Sequence, residues 1–172
     1  MITEYKSLLP ADFAENSKVW IYQSSRLFNM QEALQLEELL NNFTASWQAH
    51  GAAVKGFATI FFGRFIILMA DESATEVSGC STDSSVRLIK QIEQQYGVSL
   101  FDRQMLAFII KDKMEILPLN QISYAIENGF INGDSIYMNN LVQTKHELLE
   151  NWMIPVKKSW LASKFLKSVS PL

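Results

Sequence analysis

Two runs of this sequence, Phe65-Ile66-Ile67-Leu68-Met69 and Met105-Leu106-Ala107-Phe108-Ile109-Ile110, are apolar at odd and even positions alike. Successive side chains of a strand point to opposite faces, so each run needs cover on both sides. Burying one Phe or Ile side chain is worth ~1.5–3 kcal/mol, so leaving a whole face wet would exceed a domain's stability margin. The chain must therefore build a sheet held between two layers.

The first run has a partner, since 54–62 is also apolar and β-rich and only Gly63-Arg64 separates the two, the form of a tight hairpin. Pairing about Gly63 would bring His50 beside residues 74–77. Upstream, Val19-Trp20-Ile21-Tyr22 reads as a strand. Asn29, with Glu32 three residues on, caps a helix whose apolar face is Leu36, Leu39, Leu40, Phe43 and Trp47, closed by Gly51. A second helix starts at Thr82 or Asp83, turns Val86, Ile89, Ile92 and Tyr96 inward, and stops at Gly97. With 105–110 as a fourth strand the order is β-α-β-β-α-β, which predicts an α+β, ferredoxin-like antiparallel sheet with both helices on one face.

From Pro118 onward the pattern reads as helices over 121–128, 137–152 and 155–166. The expectation is one domain over 1–172, with its core at 17–113 and a helical C-terminal extension at 118–167. That extension covers the second face of the sheet, or a homodimer through the sheet face does. Leu39, Phe43, Ile67, Ile89 and Phe108 are expected in one core.

Composition narrows the function. With 48 % apolar and 19 % charged residues, long disorder is disfavoured. The net charge of −3, from 15 basic and 18 acidic residues, and the lack of a dense Lys/Arg cluster argue against nucleic-acid binding. The basic stretch Lys157, Lys158, Lys164 and Lys167, interleaved with Trp160, Phe165 and Leu166, could lie on a membrane surface, but a docked helix with solvated lysines is the plainer reading. A single cysteine allows no intrachain disulfide. Residues 1–12 do not read as a signal peptide, and the longest apolar run, 65–70, is far below the ~20 residues that span a bilayer. A cytoplasmic protein with no integral membrane segment is expected.

The polar loop from Asp71-Glu72-Ser73 to Ser78-Gly79-Cys80-Ser81-Thr82-Asp83 is the candidate site. In the predicted topology one end of the sheet collects His50, Asp71, Glu72, Cys80 and Asp83. A catalytic reading makes Cys80 the nucleophile, His50 its base and Asp71 or Asp83 the group that orients the imidazole. The helix dipole would help the thiolate by only ~0.3–1 kcal/mol, and each carboxylate ~6 Å away would cost it ~0.7 kcal/mol. Four acids and no base lie between Asp71 and Val86, so only a protonated His50 could activate Cys80. A binding reading uses Glu72, Ser78, Ser81 and Asp83, with Trp20 and Tyr22 as pocket walls, because these two alternate with Val19 and Ile21 and so face the extension or a partner. The bland reading makes Cys80 a small packed residue and the hydroxyls helix caps.

Other chemistries find little support. The loop has a phosphate cradle's glycine and hydroxyls but the wrong charge, and no Gly-x-x-x-x-Gly-Lys-Ser/Thr motif occurs. Neither metal nor cofactor is expected, since one Cys and two distant His, His50 and His146, have no ligand spacing. A weak cation site at Asp71, Glu72 and Asp83 competes with capping and a solvated loop.

The runs Val19-Trp20-Ile21-Tyr22-Gln23-Ser24, Trp47-Gln48-Ala49-His50-Gly51, Asp71-Glu72-Ser73 and Ser78-Gly79-Cys80-Ser81-Thr82-Asp83 together resemble a family of uncharacterised bacterial proteins of about this size. Its members often carry the automatic name "ABC transporter ATPase", an activity that this sequence, without a Walker motif, gives no reason to carry over. The resemblance implies a bacterial cytoplasmic protein and supplies no catalytic residues. Two readings result: a small binding or interaction protein with a small-molecule ligand or a partner, or a thiol- or acid/base-dependent enzyme acting at His50, Asp71 and Cys80.

Overall fold

In the computed structural model of the chain, which describes residues 2–166, the hairpin about Gly63 forms in the expected register. The elements around it are β1 (Lys18–Gln23), α1 (Met30–Ser46), the two-residue strands β2 (Gln48–Ala49) and β3 (Ala52–Ala53), β4 (Lys55–Phe61), β5 (Phe65–Asp71) and α2 (Gly79–Tyr96). β4 pairs with β5 from Lys55 opposite Asp71 to Phe61 opposite Phe65. β1 takes the other edge of β5, giving three antiparallel strands in the order β1-β5-β4. β5 is central, and its residues from Phe65 to Ala70 are all buried, as a strand apolar on both faces requires.

These elements belong to the first of two compact units, residues 2–101 with 142–149. One face of its sheet presents Ala58, Ile66 and Leu68 to Leu36 and Leu40 of α1 and to Ile89 and Ile92 of α2. Trp20 and Tyr22 pack into this same helix-covered cluster, not toward an extension or partner, because they share the face of Leu68 and Ile66 in the register. The opposite face carries Val19, Ile21, Phe57, Phe61, Ile67 and Met69. The N-terminal segment lies against it: Tyr5 meets Phe61 edge-on at 5.6 Å between ring centroids, and Phe13 meets Phe57 at 6.4 Å. The returning segment Val142–Leu149 ties this cover down. Buried Lys145 donates to the carbonyls of Pro10 and Phe13, both at 2.8 Å, and the Tyr5 hydroxyl donates to that of Leu148. Cover expected from C-terminal helices or a second subunit thus includes the chain's own first residues.

Local chemistry sets the helix limits. Asn29 caps α1 with a full capping box, its Oδ1 accepting from the Glu32 amide and Glu32 Oε2 from the Asn29 amide, both at 2.9 Å. α1 ends at Ser46, short of Gly51, because Trp47 turns extended and His50 (φ 51°) with Gly51 (φ 78°) forms the two-residue turn between β2 and β3. α2 begins at Gly79, ahead of the expected Thr82 or Asp83, because Ser78 and Ser81 cap it reciprocally. It stops at Gly97, left-handed at φ 61°, as predicted.

The second unit, residues 102–141 with 150–166, contains β6 (Met105–Ile110), β7 (Lys113–Pro118), α3 (Ile122–Glu127), β8 (Ile136–Met138), the end of α4 (Lys145–Asn151), β9 (Met153–Pro155) and α5 (Leu161–Phe165). Its antiparallel sheet runs β7-β6-β8-β9 over a core of Leu106, Phe108, Ile122, Tyr137 and Leu161. The chain is therefore α+β with antiparallel sheets and, among the described residues, five α-helices. The first three expected strands keep the ferredoxin-like order, but the fourth, β6, forms in this other sheet. Lys111 and Asp112, at φ 50° and 62°, make a two-residue turn that folds β6 directly onto β7. The edge of β1 where a fourth strand was expected meets Gln143 and Thr144, through a Val19 amide bond of 2.9 Å and a bridge at Lys18.

The extension is not the helical segment expected. Ile136 and Tyr137, β-branched and aromatic, pair with Ile109 and Phe108, and Ile154 pairs with Tyr137, so only 145–151 and 161–165 of the two long predicted helices are α-helical. The five expected core residues divide likewise. Ile89 and Ile67 lie on opposite faces of one sheet, Leu39 and Phe43 are only half-buried, and Phe108 belongs to the second unit. Lys167 of the basic tail lies outside the described residues. Among those described, no helix is long and apolar enough to cross a membrane.

Candidate functional site

The acid-rich loop is built by its own hydrogen bonds. Asp71, 4 % exposed at the end of β5, accepts from the Ser73 hydroxyl at 2.5 Å and from the amides of Ser73 and Ala14 at 2.9 Å each, with Lys55 Nζ at 3.7 Å. The Ser73 hydroxyl above all, then the Ala14 and Ser73 amides, hold its pKa at about 2. Lys55 also donates to the Asp12 carbonyl at 2.7 Å and stands 4.8 Å over the Phe13 ring. The acid expected to orient an imidazole is thus a buried clamp joining the N-terminal segment to β4 and β5.

Glu72 is similarly engaged, through a 3.0 Å ion pair with Lys18 and a 2.8 Å bond from the Val77 amide that closes the loop. Ser78 and Ser81 cap α2: Ser78 Oγ accepts from the Ser81 amide at 3.2 Å and Ser81 Oγ from the Ser78 amide at 2.8 Å. Ser81 is also buried. The bland reading of these hydroxyls is the one the geometry realises.

Among the described residues, no hydrogen bond or ion pair joins His50, Asp71 and Cys80 to one another. His50 is exposed at the tip of the β2–β3 turn and, among the described residues, makes no hydrogen bond or ion pair. Extrapolating the β4–β5 register would carry it toward the loop, but the ladder ends at Lys55 and Asp71, and the chain before it turns into a separate hairpin. Cys80 is a free, exposed thiol in the first turn of α2 and Asp83 is exposed one turn later. No group of three or more His, Cys, Asp or Glu among the described residues could hold a metal ion, so Asp71, Glu72 and Asp83 do not form a cation cage.

Cys80 lines a cavity. A cleft of about 440 Å³ opens between the end of α1 and the start of α2, bounded by Phe43, Trp47, Gln48, Cys80, Ser84 and Arg87. Trp47, missed as a site residue, is its keystone. Its indole N–H donates to the Ser81 carbonyl at 3.0 Å, its ring meets Trp20 edge-on at 6.1 Å, and Gly56 leaves it room, since a Cβ there would stand 2.8 Å from Trp47 Cε3. Trp20 therefore braces a wall instead of forming one, and Tyr22 stacks edge-on with Phe101 at 5.5 Å. Arg87 is the one charged residue in the lining, opposite in sign to the acid-rich loop. The helical spacing of Cys80, Ser84, Arg87 and Gln91 marks one α2 face and could have found this cleft.

A second pocket, of about 330 Å³, lies within the second unit between β7 and α3. Its lining includes Leu117, Glu115, Tyr124 and Phe130, none singled out by sequence. The signal available was Lys111-Asp112 between the apolar run 105–110 and the more alternating run 113–117, which marks β7 and hence the side chains sharing its inner face. Comparisons with protein-family models, with curated proteins and with solved structures find no match to this chain.

Proposed function

We propose that this chain is a binding protein without an activated nucleophile, and that the α1–α2 cleft of its first unit takes a small polar ligand, neutral or anionic. The observation that carries the reading is the division of labour around Cys80. Asp71, Glu72, Ser78 and Ser81 hold the loop and cap the helix, while the cleft keeps hydrogen-bonding groups at Gln48 and Arg87, and the acceptor side of the Ser84 hydroxyl, which donates to the Ser81 carbonyl at 2.7 Å, over the apolar floor of Phe43 and Trp47. Its 440 Å³ falls within the ~300–1,000 Å³ of small-molecule sites, and an apolar floor with a few polar groups is their usual lining. A cationic wall favours anions as the acidic loop favours cations, and only the former faces the cleft.

The enzyme reading would need the His50 imidazole bonded to the Cys80 thiol, and among the described residues no hydrogen bond joins them. Two measurements test the proposal. Cys80 should be alkylated at pH 6 no faster than free cysteine, and a faster rate would assign the thiol to chemistry. Phosphate, citrate and aspartate should be screened by thermal shift against the parent and Ser84→Trp, which fills the cleft. Stabilisation lost in Ser84→Trp supports the site, and stabilisation equal in both assigns binding elsewhere.

A further inference from the structure

The pocket of the second unit differs in chemistry from the α1–α2 cleft and stands apart from that reading. Cross-strand pairing puts Glu115 opposite Phe108 and Leu117 opposite Leu106, so Glu115 projects from the sheet face that carries the unit's apolar core. Among the described residues the Glu115 carboxylate has no hydrogen bond and no ion pair. Lys113, on the same face two residues earlier, does not reach it. Across the pocket, Tyr124 and Phe130 stack with ring planes 27° apart and centroids 6.5 Å apart, yet remain 62 % and 60 % exposed. Ile110, Leu117 and Ala125 complete an apolar base.

Glu115 is exposed, so its unpaired carboxylate stands at the mouth of an otherwise largely apolar pocket and sets a specific complement. A cation there gains a counter-charge and two aromatic faces, and an apolar body attached to it gains the base. We propose that this pocket binds a small organic ammonium ion with an aromatic or branched apolar body, its ammonium on Glu115 and its body between the Tyr124–Phe130 pair and Leu117. The cavity is large enough for an arylalkylamine. The competing explanation for Glu115 is structural. β7 is an edge strand, and an inward-pointing charge on an edge strand discourages pairing with another chain.

Amide chemical-shift titrations of the full chain separate the two, using 2-phenylethylammonium and its neutral counterpart 2-phenylethanol. The ammonium should shift amides of 110–130 saturably and bind about fivefold tighter than the alcohol, the gain expected of one partly exposed charge contact. Glu115→Gln should abolish that preference while alcohol binding stays, and Glu115→Lys should reject the ammonium. Phe130→Ala should weaken both ligands. Absence of saturable shifts in this region, or an ammonium preference that survives Glu115→Gln, overturns the proposal and leaves Glu115 as an edge-strand charge.

Discussion

The loop from Asp71 to Asp83 and the pocket between β7 and α3 are opposites in the use of polar groups. The loop is dense with acids and hydroxyls, and its buried or half-buried members are committed to each other: Asp71 to Ser73 and Ala14, Glu72 to Lys18 and Val77, Ser78 to Ser81. The pocket has one carboxylate, from Glu115, which makes no hydrogen bond or ion pair among the described residues. Polar density in a sequence measures what a loop needs to fold as much as what it offers a ligand. Availability is decided by how many of those groups the backbone has already claimed.

The largest effect that would break this contrast is at Asp71. Asp71→Ala removes the acceptor of the part-buried amide bonds from Ala14 and Ser73 and loosens Lys55, and should cost about 1–3 kcal/mol in denaturant unfolding. A loss under ~0.5 kcal/mol would mean that the carboxylate is free for other work. Asp71 also fixes a pH dependence. Its folded pKa, about 2, lies below the ordinary 3.8, so its contribution is fully present above about pH 5 and is lost as pH falls through 4 toward 2. Glu32, held at about 2 chiefly by its hydrogen bonds from Arg26, loses its interaction in the same window. Asp71→Asn should therefore flatten, but not abolish, the acid limb of a stability-versus-pH curve.

Next in size is Gly56→Ala. The new methyl would meet the Trp47 ring at 2.8 Å, and that ring is held by Ser81 and Trp20. A cost of ~1–3 kcal/mol is expected, the range of overpacking. A neutral result would show that Trp47 can move and that the cleft is soft. Ser78→Ala should cost ~1 kcal/mol as a lost N-cap. Near-neutrality there, with impaired binding of a ligand, would return the loop to function.

What the sequence could reveal follows the range of the forces involved. The β4–β5 hairpin, the Asn29–Glu32 box and the Gly97 stop are written within a few residues, so periodicity and capping chemistry find them. β6 was legible as a strand but not in its sheet, because its partner was chosen by the short turn at Lys111-Asp112 while an expected topology pointed to β1. The strands at 136–138 and 153–155 were not legible, and residues 137, 138 and 155 fell inside expected helices, because short strands carry little period of their own and are stabilised by partners distant in sequence. At the site, Cys80 was found for its rarity, whereas Trp47 and Arg87 emerged only when α1 met α2. His50 was placed by extending a ladder that in fact ends at Lys55 and Asp71, and the chain before it forms its own hairpin about His50 and Gly51.

The smallest expected effects sharpen the comparison from the other side. His50 sits at φ 51°, a region that costs most side chains strain and that Asn tolerates well. His50→Asn should hold or raise stability by a few tenths of a kcal/mol, because an Asn-Gly pair suits a turn with positive φ at both positions. Cys80→Ala removes an exposed thiol from the first turn of α2 without touching the Ser78–Ser81 cap, so its unfolding free energy should match the parent within ~0.5 kcal/mol. Measured together, the double variant should equal the sum of the two singles, since His50 and Cys80 lie in separate local structures. A coupling above ~0.5 kcal/mol between them would mean that the imidazole and the thiol interact, and would restore the catalytic pair.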